Sequence, residues 1–332
     1  MIKELTVTGS YFDAGYQIGN FGKKEIKQLF QKNRKIFENI LNKKKSQIKR
    51  TWKFIQKKSP HLLEKLQGIA AGAKISSDHV FLRNFPEITG SHGGCTTVVI
   101  KNKKEFFIAH NEDENNSLTN DNFALIQFNL KNGLRYSSFV LMGELPNNTF
   151  SWNAAGIFCC VDATVPFAPN NLSYFPRYFE AALLIEQTSL ENAVQFLKKG
   201  GNCSGFHYLL ADTLNKKVVS VEKSGKTTSV KKLNNFFCHT NHHVHNKFSN
   251  KYTNKENFGT SKKRLAACEN LLNKNDEQEQ VIKILTTKLK RPFIGNDSSK
   301  TFATVVCDIN RISIKIFSDD KSVILRQCGS LL

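Results

Sequence analysis

The chain has 332 residues, of which 40% are hydrophobic and 23% charged, and its formal net charge is +20. These values are typical of a globular protein and exclude the disordered class. No apolar run approaches the ~20 residues of a membrane-spanning helix, and the N-terminus lacks the apolar core of a secretory signal. We therefore expect a soluble, cytoplasmic protein without a membrane span.

The positive charge is spread along the chain rather than gathered in one segment. Many lysines lie in Asn/Lys-rich stretches such as residues 101–104, which are typical of solvated loops. No predicted helix concentrates Lys and Arg on one face beside base-reading residues, and no RNA-binding signature occurs. We predict no nucleic-acid partner. A basic nucleic-acid-binding protein is the alternative that these features disfavour.

Residues 1–94 are predicted to be mostly helical after a short opening strand. The clearest helix is SPHLLEKLQGIAAGAKI, in which Ser59 is the predicted N-cap and Pro60 the first helical residue. Its leucines and isoleucine recur at helical spacing, so one face of this helix is expected to pack on a core.

Strands dominate from Cys95 onward. Two hairpins are predicted, one from TTVVI and EFFIAH and one from FALIQFNL and RYSSFVLMGEL. Helices follow, and the later strands are FHYLLA, KVVSVE, TFATVVCD and RISIKIF. Antiparallel pairs with helices before and between them indicate the α+β class. Because no repeat or linker divides the chain, we predict a single domain over residues 1–332.

The eight cysteines are scattered and form no CxxC pair, which favours reduced thiols over a disulfide framework. The segment CHTNHHVH, residues 238–245, concentrates metal-binding residue types. His239 and His243 would share a face if this segment were helical, but its surroundings indicate a strand end and a loop. We predict no metal and no cofactor, with a zinc site as the alternative left open.

The stretch SHGGCTTVVI places Cys95 at the start of a strand, directly behind two glycines. If Ile100 pairs near Glu105 across the first hairpin loop, Cys95 lies opposite His110 or Asn111. The returning strand then places Asp113 roughly 6–7 Å further along. Local pairing alone is thus expected to bring an acidic group near the cysteine.

Gly94 has no Cβ, so another group can approach its carbonyl closely. Attack by the Cys95 thiol on that carbonyl would cleave the Gly94–Cys95 bond and leave Cys95 as a new N-terminal residue. Its free α-amine, with an ordinary pKa of about 7.7–8.0, could serve as a general base for the thiol. A glycine bulge ahead of a core cysteine explains the same ten residues equally well.

The ordered set of motifs resembles one enzyme family. GGCTTVVI…FFIAHNED is similar to the cleavage-site signature of the isopenicillin N acyltransferase-like (acyl-CoA:aminopenicillanate acyltransferase) family. Its members are self-processing N-terminal-nucleophile (Ntn) hydrolases related to choloylglycine hydrolases. VTGSYFDAGYQIGNFGKKEI, SWNAAGIFCCVDAT, CHTNHHV and TFATVVCD resemble family segments in the expected order, so the resemblance covers nearly the whole chain.

The resemblance implies a fold and a set of site residues. The fold would be an αββα sandwich of two antiparallel sheets flanked by helices. Cys95 would be the nucleophile, Asp113 its acidic partner and Asn241 the donor to the oxyanion. The supporting residues would be Thr96, Thr97, Asn111 and Lys300. Lys300 is the residue nearest to the position where many members carry an arginine, and a lysine lacks the bidentate fork of that side chain.

The resemblance also implies an activity. An acyl-enzyme on Cys95 would be formed from an acyl amide or an acyl-CoA thioester, followed by hydrolysis or acyl transfer. Segments 1–94 and 95–332 would stay associated after cleavage, and a homodimer is left open. The alternative enzyme is a cysteine–histidine hydrolase without self-cleavage, which would use Cys95 and a histidine of residues 238–245.

Overall fold

The computed structural model describes residues 2–90, 94–164, 173–249, 259–293, 298–318 and 323–328. These residues form two β-sheets stacked face to face, with helices on both outer sides. The α+β class predicted from the sequence pattern and the αββα layering implied by the resemblance are therefore confirmed.

The larger sheet has eight strands. In spatial order they are β1 (Lys3–Gly9), β4 (Phe123–Leu130), β5 (Arg135–Leu141), β6 (Phe150–Asn153), β7 (Ile157–Thr164), β8 (Gly205–Asp212), β9 (Lys217–Ser224) and β10 (Thr227–Lys232). Neighbouring strands are antiparallel except β1 and β4, which are parallel. This one pair departs from the predicted antiparallel sheets, because the chain returns to β1 only after a long crossover.

The smaller sheet has six strands, all antiparallel. In spatial order they are β11 (Phe237–His239), β2 (Gly94–Lys101), β3 (Phe106–Asn115), β12 (Ser299–Asp308), β13 (Ser313–Ser318) and β14 (Val323–Gln327). Strand β2, which begins at Gly94, therefore lies between β3 and β11.

The helices form two groups. Those that precede β2 are α1 (Tyr11–Phe21), α2 (Lys23–Lys43), α3 (Lys45–Lys58), α4 (Pro60–Ala73), α5 (Ser77–Arg83) and α6 (Pro86–Thr89). Those that follow β7 are α7 (Arg177–Leu184), α8 (Leu190–Lys199), α9 (Asn246–Ser249), α10 (Ser261–Leu271) and α11 (Gln278–Thr287). Helix α4 begins at Pro60, as predicted. No helix of the described residues is both long and apolar enough to cross a membrane.

Three layers of apolar contacts hold the sandwich together. Helices α1–α8 pack on the outer face of the larger sheet. The inner faces of the two sheets pack against each other through apolar side chains. Helices α10 and α11 pack on the outer face of the smaller sheet, where Val98 and Ala109 meet Cys268 and Leu285. Since side chains alternate along a strand, β2 and β3 present one set of residues to the larger sheet and the other to these two helices.

Candidate active site

The register of the β2–β3 hairpin decides which residue faces Cys95. Cys95 pairs with Glu112 and Gly94 with Asp113, so the predicted pairing of Cys95 with His110 or Asn111 is wrong. The pairing extends to Lys101 and Phe106. The loop between them is closed by Asn102, whose N–H donates to the carbonyl of Glu105 at 2.8 Å and whose side-chain oxygen accepts from the N–H groups of Lys104 and Glu105.

The two faces of this hairpin have different functional side chains. Cys95 and Thr97 face the larger sheet together with Glu112 and His110, as their mutual contacts show. Asp113 and its neighbour across the pair, Gly94, lie on the face covered by helices α10 and α11. The thiol and the predicted acidic partner are thus close along the strands but on opposite faces.

The Cys95 side chain is only 4% exposed, and its Sγ lies 3.9 Å from Oε2 of Glu112. Burial raises the pKa of the thiol well above its usual value, and the nearby carboxylates of Glu112, Asp162 and Asp113 raise it further. In the continuous chain the sulfur is therefore a protonated thiol at neutral pH. It needs a proton acceptor before it can attack.

Asp113 is completely buried and is held by strand β12. Its Oδ1 accepts a 2.6 Å hydrogen bond from Oγ1 of Thr301, which accepts a 2.9 Å hydrogen bond from the backbone N–H of Arg291. The Arg291 guanidinium lies against Gly94, since a Cβ at that position would be 3.0 Å from Nη1. An acidic and a basic side chain thus flank the peptide group before Cys95.

Asn241 reaches Cys95 from 146 residues further along the chain. The backbone N–H of Cys95 donates to Oδ1 of Asn241 at 2.9 Å, and Nδ2 of Asn241 donates to the carbonyl of Ala163 at 2.9 Å. Strand β11 brings it there, because His239 at the end of β11 pairs with Thr97 on β2. The carbonyl oxygen of the amide therefore faces the backbone nitrogen of Cys95.

Arg264 on α10 is a site residue that the sequence reasoning missed. Its Nη1 donates to the backbone carbonyl of Cys95 and to Oγ1 of Thr96, the latter at 2.8 Å, and its Nη2 donates to Oδ1 of Asn241 at 2.5 Å. Ser261, Arg264 and Cys268 are the buried residues of this helix. Their i, i+3, i+7 spacing is a sequence signal that could have assigned Arg264 to the buried face.

The remaining predicted residues, Thr97, Asn111 and Lys300, contact different parts of the fold. Thr97 Oγ1 donates to Asp162 at 3.0 Å. The side-chain amide of Asn111 donates to the carbonyl of Leu285 at 3.0 Å and so connects β3 to α11. Lys300 pairs with Glu114 in the register of β12 and β3, and its Nζ lies 5.3 Å from the ring centroid of Phe302.

A buried hydrogen-bonded network extends from the thiol across the space between the sheets. Nε2 of His110 lies 3.3 Å from Oε2 of Glu112, and Nδ1 of His110 lies 2.8 Å from Oγ1 of Thr97. Thr97 contacts Asp162 on β7. Asp162 in turn contacts two stacked histidine rings, Nδ1 of His207 at 2.6 Å and Nδ1 of His239 at 3.0 Å.

His239 is the cationic centre of this network. Burial alone would lower its pKa, but hydrogen bonds to Asp162 and Glu222, with the negative charge of both, raise the pKa of His239 to about 9. Burial also lowers the pKa of His207 to about 3 and that of His110 to about 4. At neutral pH His239 is thus an imidazolium between two carboxylates, while the other two rings are neutral.

Beyond His239 the network fixes the segment that carries Asn241. Glu222 accepts a 2.5 Å hydrogen bond from the N–H of Val244 and bonds of 3.1 Å from the N–H of His245. Its Oε2 also lies 3.4 Å from Nδ1 of His243. These contacts tie residues 239–245 to the larger sheet.

Two groups of three buried side chains among the described residues have ligand atoms within 4.8 Å of one another and could hold a metal ion. They are Cys95, His110 and Glu112, and Asp162, His207 and His239. In the second group Nδ1 of His207 and Nδ1 of His239 both face Oδ2 of Asp162, so hydrogen bonds within the group already engage these atoms. His243 belongs to neither group, and the predicted absence of a metal stays a prediction.

The cysteine prediction needs one correction. Cys238 on β11 and Cys268 on α10 form a disulfide with a Cα–Cα distance of 6.7 Å, while the other six cysteines are free. The pairing is not local in sequence, so scattered spacing could not indicate it. The disulfide joins the strand that leads to Asn241 with the helix that carries Arg264.

Comparisons with known proteins place these residues in context. Residues 100–322 match the family described as acyl-coenzyme A:6-aminopenicillanic acid acyl-transferase, a range that begins after Cys95 and includes Asp113, Asn241 and Arg264. The chain is 22% identical over 223 residues to a β-alanyl-dopamine/carcinine hydrolase of Drosophila melanogaster. That alignment covers 59% of this chain and 57% of the relative, so the chain spans little more than half the length of that protein.

Two solved structures are similar to part of this chain. One is a mutant form of a conjugated bile acid hydrolase from Clostridium perfringens, with 11% identity, a TM-score of 0.47, and coverage of 70% of this chain and 92% of that one. The other is a penicillin V acylase from Agrobacterium tumefaciens, with 12% identity, a TM-score of 0.44, and coverage of 71% and 87%.

Proposed function

Because the chain belongs to the acyl-coenzyme A:6-aminopenicillanic acid acyl-transferase family, we propose that it is a self-processing N-terminal-cysteine amide hydrolase or acyltransferase. In this proposal the chain is made as an inactive precursor. It cleaves its own Gly94–Cys95 bond, and the freed Cys95 is the nucleophile of the mature enzyme.

The observation that carries the proposal is the way in which the backbone of Cys95 is held. Its N–H donates to the side chain of Asn241, and its carbonyl accepts from the buried guanidinium of Arg264. Asn241 and Arg264 lie 146 and 169 residues after Cys95 in the sequence. Strand β11 ends opposite Thr97, so on that side the backbone of Cys95 is satisfied by these two side chains rather than by a strand.

Cleavage would proceed by attack of Sγ of Cys95 on the carbonyl carbon of Gly94. A C–S bond forms, the C–N bond breaks, and the nitrogen takes up a proton to become the free α-amine. Water then hydrolyses the thioester and leaves a carboxylate on Gly94. The new amine has an ordinary pKa of about 7.7–8.0, so the mature residue has its own general base.

In the mature enzyme Cys95 would attack the carbonyl of an acyl substrate. The α-amine accepts the thiol proton and later passes it to the leaving group. Asp113, which faces Gly94 across the strand pair, would stabilise the ammonium form. Asn241 would donate to the oxyanion from its amide nitrogen, which requires a turn of the side chain because its oxygen faces Cys95 in the continuous chain.

We infer an acyl amide as the substrate class, with an acyl-CoA thioester as a second acyl donor. The Drosophila relative is described as a hydrolase of β-alanyl-dopamine and carcinine, and the matching family is described as an acyl-coenzyme A-dependent acyl-transferase. The absence of a cofactor stays a prediction. Segments 1–94 and 95–332 would stay associated, because β1 is part of the eight-stranded sheet. A cytoplasmic location stays a prediction.

Intact-mass measurement with N-terminal sequencing tests the proposal. We expect two polypeptides of residues 1–94 and 95–332 that elute together, with Cys95 at the start of the second. Incubation with the activated ester 4-nitrophenyl acetate should add one acetyl group to the 95–332 polypeptide. Enzymatically active protein that keeps an unbroken chain through position 95 would contradict the proposal.

A cysteine–histidine hydrolase without self-cleavage is the second candidate. It is favoured by a ring nitrogen of His110 within 4.8 Å of Sγ of Cys95, with Glu112 completing the group. In this case His110, rather than a histidine of residues 238–245, would be the base. His110→Gln should then abolish acetylation of an intact chain, whereas the self-processing enzyme would still acetylate its 95–332 polypeptide.

A further inference from the structure

We propose that Glu112 is the general base of self-cleavage, the group that takes the thiol proton before an α-amine exists at Cys95. This inference rests on the proposed function. It assigns the first step of processing to a residue of the HNED segment for which the resemblance implies no role.

The continuous chain requires such a group. The nitrogen of Cys95 is a peptide nitrogen that donates to Asn241, so it cannot accept a proton. The thiol is buried, and burial with nearby negative charge keeps its pKa well above the usual value. Removal of the proton therefore needs an acceptor in direct contact with the sulfur.

Glu112 meets this requirement by geometry. It lies directly opposite Cys95 in the strand pair, and its Oε2 is 3.9 Å from Sγ. A weak S–H···O hydrogen bond spans this distance. Glu112 is 3% exposed, so bulk water does not compete for the contact.

The neighbouring acids are less suitable. Asp113 faces the opposite side of the sheet and accepts a hydrogen bond from Thr301. Asp162 is separated from the thiol by Thr97 and is bonded to both His207 and His239, which hold its pKa below the usual value. A carboxylate with a lowered pKa is a poor acceptor for a thiol proton.

The surroundings of Glu112 make it a strong acceptor. Burial raises its pKa well above the usual value, and the negative charges that face it raise the pKa further; these belong to Glu114, Asp113, Glu144 and Asp162. His110 lies on its other side, with Nε2 at 3.3 Å. A carboxyl group with a raised pKa is closer in basicity to a thiolate, which favours proton transfer between the two.

Oε2 of Glu112 takes the proton of Sγ while sulfur bonds to the carbonyl carbon of Gly94. When the C–N bond breaks, Glu112 gives that proton to the leaving nitrogen of Cys95. The carboxylate is regenerated, and water completes the hydrolysis of the thioester.

The experiment follows the cleavage of freshly synthesised full-length chain by intact mass, from pH 5.5 to 9. Glu112→Gln keeps the shape of the side chain but removes the basic carboxylate. Glu112→Asp keeps a carboxylate on a shorter side chain. Glu114→Gln is the matched control on the same strand. Thermal melting reports whether each variant is folded. Hydroxylamine, which cleaves thioesters, reports whether the C–S bond has formed.

We expect the wild-type rate to rise with pH to a plateau, as Glu112 becomes deprotonated. Glu112→Gln should cleave at least ~100-fold more slowly, lose this rise, and release no extra fragment with hydroxylamine. Glu112→Asp should keep the rise at a reduced rate. Glu114→Gln should reach the wild-type plateau at lower pH, because one negative charge beside Glu112 is gone.

The outcomes separate the two proposals. If wild-type chain cleaves and folded Glu112→Gln cleaves within threefold of its rate, Glu112 is not the base and the proposed function stands. Hydroxylamine-released fragments from Glu112→Gln would also overturn the assignment, because the thioester would have formed without Glu112. If Glu112→Gln does not fold, a Glu112→Asp profile without the rise with pH overturns it instead. Wild-type chain that remains intact and active removes the proposed function itself.

Discussion

The guanidinium of Arg264 donates a hydrogen bond to the backbone carbonyl of Cys95. The same guanidinium also contacts Thr96 and Asn241, so three acceptors around the start of β2 are fixed by one buried side chain. A planar fork of five N–H donors can serve several acceptors at once, whereas a lysine ammonium is a single point of charge.

Arg264→Lys should therefore impair the site while keeping its charge. We expect self-cleavage and acetylation of Cys95 to slow by at least ~10-fold, and unfolding to become easier by about 1–3 kcal/mol because buried acceptors lose their donor. Arg311→Lys is the control, since Arg311 is an exposed arginine paired with Asp308. Equal cleavage rates for the Arg264 and Arg311 variants would exclude a role for the fork.

Cys95→Ala should remain a single full-length chain and accept no acetyl group, because neither the attacking sulfur nor the acyl acceptor is present. Cys95→Ser should cleave more slowly than wild type, since a hydroxyl can form the corresponding ester. The measurement is intact mass over several days. Cys307→Ala removes another buried free thiol and should cleave normally. Two fragments from Cys95→Ala would refute attack by the thiol.

Asn241→Ala should lower the turnover of mature enzyme by roughly 10²–10³-fold if the amide donates to the oxyanion. It also removes the acceptor for the N–H of Cys95, so slower self-cleavage is expected as well. Steady-state kinetics on purified 95–332 polypeptide with its partner segment measures the first effect. Asn310→Ala, at an exposed asparagine, is the control. Turnover close to wild type would remove Asn241 from the oxyanion site.

Gly94→Ala should slow self-cleavage by about tenfold, equivalent to about 1.4 kcal/mol in the barrier. The added Cβ would lie 3.0 Å from Nη1 of Arg291, so that guanidinium would have to shift slightly away from the peptide group to be cut. Gly200→Ala is the matched control, because the nearest atom to a Cβ there is 4.0 Å away. Cleavage of both variants at the wild-type rate would show that self-cleavage does not depend on the position of Arg291 beside Gly94.

The stability of the folded protein should fall as the pH rises from about 6.5 to about 9. The folded pKa of His239 is raised to about 9 from an unfolded value near 6.5. The protonated His239 ring therefore contributes its full stabilisation below pH 6.5, and this contribution is lost as the pH rises through the pKa of the folded state. The loss should be on the order of 1–3 kcal/mol. Denaturant unfolding across this window measures it.

His239→Gln should lack this loss between pH 6.5 and 9, although it should be less stable overall because Asp162 and Glu222 lose their cation. His79→Gln, at a partly exposed histidine on α5, should keep the wild-type dependence. An unchanged slope in His239→Gln would assign the pH dependence to other groups.

The features that depend on local sequence pattern and on the order of the motifs, namely the fold class and the family, could be predicted from the sequence. The family membership is confirmed by the match over residues 100–322, and the αββα layering by the two sheets. The predicted register of the first hairpin is wrong, because the last pair before the loop is Lys101 with Phe106 and not Ile100 with Glu105. The partner of Cys95 thus moves by two residues, from His110 to Glu112, and both of these side chains lie on the face of the thiol because side chains alternate along a strand.

The contacts that depend on tertiary packing could not be predicted in the same way. Asn241 came from the resemblance, and nothing in its local spacing indicated that it would bind the N–H of Cys95. The network from Glu112 through Asp162 to His239 joins strands of both sheets. Asp162 and His207 are single polar residues in apolar strand segments, whereas Glu112 and His239 lie in polar runs, and only the stacking of the sheets brings them together.

The disulfide between Cys238 and Cys268 has a practical consequence at the bench. Dithiothreitol, routinely added to protect a catalytic thiol from oxidation, would also open this cross-link and loosen the anchorage of strand β11 to helix α10. Preparations stored with and without a reductant would then contain different molecules, and their specific activities should be compared only after the thiol content of each has been counted.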